Sequence, residues 1–137
     1  MQLDTLLEAD TKAWMKKARQ DLRAAEVDLA ADPPIIEDAL FHAQQAAEKS
    51  IKAFLCWHDR PFRKTHDLRE LLDSACSIEP GIEELRSTIE ALTPFAWEFR
   101  YPGESEEPSL EETKEYIQVA NDFYQKIMSF LPEDIRI

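Results

Sequence analysis

The chain has 137 residues, 28 of them acidic and 16 basic for a formal charge of −12, with 44% hydrophobic residues, 32% charged and only two glycines. That length fits one domain built on a single core, and the composition suits a compact helical protein better than a strand-rich or disordered one. So acidic a chain repels phosphate backbones and excludes non-specific coating of nucleic acid, two glycines exclude a glycine-rich phosphate loop, and no segment approaches the ~20 apolar residues that cross a bilayer.

Met1 to Asp10 carries three acidic residues and no basic cluster, which does not read as a secretory signal. A cytoplasmic, soluble protein is expected. The first helix is expected to start near Asp10 or Thr11, either of which can cap it, and to run to about Ala31. Trp14, Ala18, Leu22, Ala25 and Leu29 recur every three or four residues and mark its buried face. Asp32-Pro33-Pro34 ends it, because consecutive prolines break the hydrogen-bond ladder.

A second helix follows from Ile36 to Trp57. At ~100° per residue, Leu40, Ala43, Ala47, Ile51, Phe54 and Trp57 share one broad apolar side, while His42, Gln45, Glu48, Lys49 and Lys52 share the other. Ala43 and Ala47 allow a neighbouring helix to approach closely. Gln44 lies inside the apolar arc, so its amide needs a partner: a backbone group, another subunit or a ligand. Glu48 and Lys52, four apart, read as an ordinary helix-surface pair. His58, near the helix end, reads as a residue complementing the dipole.

The connector from His58 to Thr65 contains Pro61, and the stretch to His66 gathers Arg60, Arg63 and Lys64 against Asp59 alone. This basic loop suits one phosphate or a short RNA, or equally a solvated loop that offsets nearby acid. Asp67 or Thr65 caps a third helix, and Asp67-Leu68-Arg69-Glu70 has the capping-box pattern. Pro80-Gly81 then breaks the chain before a shorter helix, expected over Ile82 to Leu92. After the aromatic run Phe95 to Tyr101 and an acidic loop, Ser109 caps the last helix, with Glu112 completing a second capping box. Leu110, Tyr116, Ile117, Ala120, Phe123, Tyr124, Ile127 and Leu131 supply its apolar face. The fold class expected is all-α: an up-and-down four-helix bundle with one additional short helix, in a single domain over 1–137 with its core at about 10–131.

Few residues offer chemistry. His66, beside Asp67 at a helix start, suits acid–base work or donation to phosphate, and the helix start itself favours anions; the competing reading is a structural histidine that fixes the turn. Arg100, followed by Tyr101, suits bidentate phosphate recognition or an ion pair with Glu98 or Glu104. Phe95, Trp97 and Phe99 read as core. Cys56 and Cys76 follow helical apolar patterns and read as buried reduced thiols. The histidines at 42, 58 and 66 show no metal-ligand spacing, and no cofactor is expected.

Three stretches together resemble the HEPN family of small helical domains: Phe41 to Leu55, Lys64-Thr65-His66-Asp67-Leu68, and Arg100-Tyr101-Pro102. The resemblance runs from about Trp14 to Leu131. It implies a four- or five-helix bundle that commonly forms homodimers, often encoded beside a small nucleotidyltransferase as a toxin–antitoxin-like pair. Some members bind nucleotides, and others are metal-independent ribonucleases that place an arginine, then a histidine four to six residues later, before the last helix. Arg100 matches that arginine, but the histidine window at 105–107 reads Ser-Glu-Glu, so the pair is incomplete. Arg60 and His66 fit the spacing by count, in the wrong connector.

The resemblance therefore points to the nucleotide-binding, nucleotidyltransferase-associated branch. Lys64, His66 and Arg100 would meet phosphates there, Tyr101 or Trp97 a base, and Gln44 a ligand or subunit. The rival reading is a ribonuclease toxin in which Arg100 stabilises the phosphorane and His66 moves the proton. The third is a structural adaptor without a ligand. A symmetric homodimer is expected, from the family and from the wide apolar arcs of the second and last helices.

Overall fold

The computed structural model describes residues 2–99, 102–103 and 106–136. Among these residues the chain is all-helical: α1 (Gln2–Ala30), α2 (Ile36–Trp57), α3 (Leu68–Ile78), α4 (Arg86–Glu90) and α5 (Leu110–Ser129), with short 3₁₀ turns at Pro80–Leu85, Thr93–Ala96 and Glu133–Ile135. A loop of five residues, Ala31 to Ile35, folds α2 back along α1, and this pair shares the most extensive packing in the molecule. The buried α1 residues are Met15, Ala18, Leu22 and Ala25, and on α2 the fully buried Ala39 and Ala46, which share the side of the helix that carries His42 and Lys49, give the seam little bulk. Small side chains at that seam bring the two backbones close.

Helix α2 is the centre of the bundle, touching α1, α3, α5 and the turn at Thr93–Ala96. It is consequently buried on nearly every side. Gln45, Glu48, Ser50 and Lys52 are buried along with the apolar residues, so the side expected to face solvent does not. Most of the apolar arc expected to mark a dimer interface is covered by the chain's own helices, while Trp57, Tyr116 and Phe130 stay partly exposed. On α5, Phe123, Tyr124 and Ile127 are buried, but Leu110, placed on the buried face by its spacing, is exposed.

Local signals set several boundaries. Asp59 takes a positive φ of 52° after the last turn of α2, and the Arg60 and Asp59 amides return to the Leu55 and Cys56 carbonyls, closing the helix. Ser109 Oγ accepts from the Glu112 amide, and the Glu112 carboxylate accepts from the Ser109 amide, completing the reciprocal cap of α5. At α3 only half of the expected box forms. The Asp67 carboxylate accepts from the Arg69 amide, while Glu70 pairs with Arg63 instead.

Two expected elements differ. The first helix starts at Gln2 rather than at Asp10 or Thr11, and Thr11 is wholly buried inside it, a capping residue type used for packing. The helix expected over Ile82 to Leu92 is split into a 3₁₀ turn and the five-residue α4. Ile82, Ile89 and Leu92 are still buried. The Glu79 carboxylate accepts from the Gly81 amide at the start of that turn, and a Cβ on Gly81 would meet the Phe130 ring at 3.2 Å, so the chain passes tightly there.

Candidate functional site

The connector after α2 lays His66 across the middle of that helix. His66 Nδ1 lies 2.8 Å from Glu48 Oε1, and the His66 carbonyl accepts from Gln44 Nε2 at 3.3 Å. Gln44 also donates to Glu48 Oε1 at 3.2 Å and accepts from Gln45 Nε2 at 2.7 Å. Its partners are thus a backbone carbonyl and two neighbours on its own helix. Lys52 Nζ donates to Glu48 Oε2 at 2.9 Å and sits 5.4 and 5.6 Å from the ring centres of Trp14 and Phe62, within cation–π range. The Glu48 and Lys52 side chains are 3% and 8% exposed, so the pair read as a helix-surface pair is a buried one.

Burial pushes the Glu48 carboxyl up, but hydrogen bonds from Lys52, His66 and Gln44, with the ammonium charge, hold it below its ordinary value. An ionised carboxylate only accepts, so the ring proton facing Glu48 sits on Nδ1. Nε2 is then the working nitrogen: acceptor when the ring is neutral, donor when it is charged. The side chain is 53% exposed. A buried carboxylate thus fixes the orientation of a solvent-facing imidazole, an arrangement suited to donating to a phosphate or moving a proton.

Lys64 is exposed two residues away on the same connector. The start of α3 is not itself an anion site, contrary to the expectation from its position, because the Asp67 carboxylate caps it. Arg60 does not join His66 either. Its guanidinium donates to Ser77 and reaches Ser74, ~9–14 Å along α3 from its first residue at 1.5 Å per residue. Arg100 and Tyr101 lie outside the described residues, as does Ser105; Glu106 and Glu107, the rest of the histidine window, are exposed acids.

Other expectations shift with burial. Trp97, expected in the core, is 49% exposed, whereas Phe95 is buried and stacks on Phe99 at 5.9 Å. Trp97 lines a groove of about 500 Å³ with Ile35, Phe41, Phe95, Phe99 and Asp38. His58 packs on the Phe54 ring at 4.5 Å, and burial, then Arg60, push its pKa down, which favours the neutral ring over a dipole-complementing cation. Cys56 and Cys76 are free and only partly buried, and burial pushes both thiols up, away from reactive thiolate.

Glu48, Lys52, Trp14 and Phe62 are the residues that sequence reasoning missed. One signal was present: Gln44, Glu48 and Lys52 are spaced by four, a polar row along one line of α2.

A helical bundle whose central helix carries a buried polar row, clamped by a histidine from the following connector, defines the class. The HEPN domain family matches residues 11–132, and the chain belongs to that family. No curated protein and no solved structure gives a match. Family membership supports a function connected with nucleotides or RNA in general. No helix among the described residues is long and apolar enough to cross a membrane.

Proposed function

We propose that this protein is a nucleotide-binding HEPN domain of the nucleotidyltransferase-associated kind, with His66 and Lys64 receiving the phosphates. The observation that carries the reading is the Glu48–His66 contact of 2.8 Å, which orients an exposed imidazole on the connector that also carries the exposed Lys64. Side chains, rather than a helix start, would hold the anion, since Asp67 occupies the first turn of α3. Arg100 and Tyr101 complete the proposed set on family grounds. A homodimer and a small nucleotidyltransferase partner, paired as in a toxin–antitoxin module, belong to the same proposal. The exposed apolar rim of Ile35, Phe41 and Trp97 supports a partner surface.

Thermal-shift titration with ATP, GTP and shorter nucleotides tests the binding. Ligand at a hundredfold excess over Kd stabilises by ~2.7 kcal/mol, an upward shift of several degrees, and His66→Ala or Lys64→Ala should remove it. Folded protein that shows no shift at millimolar nucleotide removes the proposal. The same dyad also favours a second reading, a metal-independent ribonuclease with His66 moving the proton and Arg100 stabilising developing charge. Incubation with structured RNA in EDTA separates the two: cleavage lost in both Arg100→Ala and His66→Ala supports the enzyme, and inert wild-type protein ends it. If neither ligand nor substrate is found, the ligand-free adaptor stands.

A further inference from the structure

Where the α1–α2 hairpin closes, two carboxylates and an imidazole converge without enough positive charge to balance them. Asp28, in the last turn of α1, is 8% exposed, and its Oδ2 is buried with no hydrogen-bond donor. A carboxylate at a helix C-terminus opposes the dipole, and α1 carries no basic residue in that turn. Asp38, in the first turn of α2, faces it. His42, one turn further along, completes the group, and one ligand atom from each of the three lies within 4.8 Å of the others. His42 Nε2 is 3.3 Å from Asp38 Oδ2.

The imidazole is already oriented. His42 Nδ1 donates to Asp21 Oδ1 at 2.8 Å, and Asp21 Oδ2 accepts from Lys49 Nζ at 2.7 Å. With Nδ1 held against Asp21, Nε2 is the ring nitrogen turned toward the two carboxylates, and it becomes a metal ligand once an ion takes the place of its proton. A carboxylate that fixes one ring nitrogen so that the other can ligate is the usual support of a metal-bound histidine. The ligand set, one nitrogen and two carboxylate oxygens with Asp38 half exposed, leaves open positions for water.

We propose that Asp28, Asp38 and His42 form a binding site for one divalent transition-metal ion of the Zn²⁺ type, which clips the end of α1 to the start of α2. The nitrogen donor favours such ions over Mg²⁺ and Ca²⁺, which take oxygen ligands. The spacing of 28, 38 and 42 hides the site in the sequence, because only the turn at Ala31 to Ile35 brings Asp28 against the other two.

Chelator-treated full-length protein, titrated with Zn²⁺ by calorimetry and with Co²⁺ by visible absorption, tests the proposal. One ion per chain is expected, with a Co²⁺ spectrum typical of nitrogen and oxygen ligation. His42→Ala and Asp28→Asn should each weaken binding at least tenfold, and Asp21→Asn, acting through His42, by 10–100-fold. Asp28→Asn relieves the carboxylate crowding, so this variant should melt above wild type without metal yet gain little when Zn²⁺ is added. Absence of saturable binding up to millimolar metal overturns the site. So does binding that both His42→Ala and Asp28→Asn leave unchanged, which would place the ion elsewhere on the chain.

Discussion

Replacing Lys52 by methionine separates a buried charge network from a surface ion pair more sharply than any other single change. The substitution keeps most of the stem that packs between Trp14 and Phe62 and deletes the ammonium that donates to Glu48. An exposed i,i+4 pair is worth ~0.3–0.5 kcal/mol. Removing one partner of a buried pair costs ~3–5 kcal/mol, because the other charge is left without compensation. Glu48 retains donors in Gln44 and His66, which places the expected loss at the lower end, ~3 kcal/mol. For a chain of this length that is a fall in Tm of ~12 °C, at ~4 °C per kcal/mol. Urea denaturation followed by circular dichroism reads it as a lower midpoint at unchanged slope. The double variant Glu48→Gln/Lys52→Met removes both charges and should recover more than ~1 kcal/mol of the loss, since contacting residues are not additive. A Lys52→Met loss below ~1 kcal/mol would refute the buried network and restore the surface pair.

Three further outcomes are expected. Because the folded Glu48 carboxyl is held below its ordinary value, its contribution is present above the ordinary glutamate range and is lost as pH falls through the folded value; urea midpoints of wild type should therefore fall more steeply in acid than those of Glu48→Gln, and parallel profiles would contradict this. Ser109→Ala removes the acceptor for the Glu112 amide and should cost ~1 kcal/mol, with the loss of α5 protection visible in hydrogen exchange. The Tyr124 hydroxyl is buried without a hydrogen-bond partner among the described residues, so Tyr124→Phe should stabilise by ~1 kcal/mol; a lower Tm would reveal a partner that the hydroxyl needs.

Much of the architecture was legible because it follows from local chemistry. The double proline after α1, the Ser109–Glu112 box and the apolar period of α2 and α5 each act within a few residues, and each marks its element in the structure. The errors are non-local. Thr11 has the chemistry of a cap, and only tertiary packing uses it as core. Glu48 and Lys52 fall on the polar side of a helical wheel, which cannot register that Trp14, Phe62 and His66 arrive from elsewhere to cover them. The site was legible as His66, Lys64 and Gln44, while the carboxylate that organises them was not. Trp97 illustrates the reverse error: its place in an apolar run predicts core, yet it stands half exposed at the rim of a groove.

The α1–α2 seam has a consequence for how the hairpin finds one alignment. A run of alanines presents nearly the same surface from one turn to the next, so apolar contact alone scarcely distinguishes the native alignment from one slid by a turn, ~5.4 Å along the axis. Asp21 does distinguish them. It reaches His42 and Lys49 together, residues seven apart on α2, and a slide of one turn in either direction would part it from at least one of them, leaving a mostly buried carboxylate short of a donor. One charged side chain on α1 thus acts as a registration pin for the largest helix contact in the bundle, the role that a single polar residue plays in an otherwise apolar coiled coil.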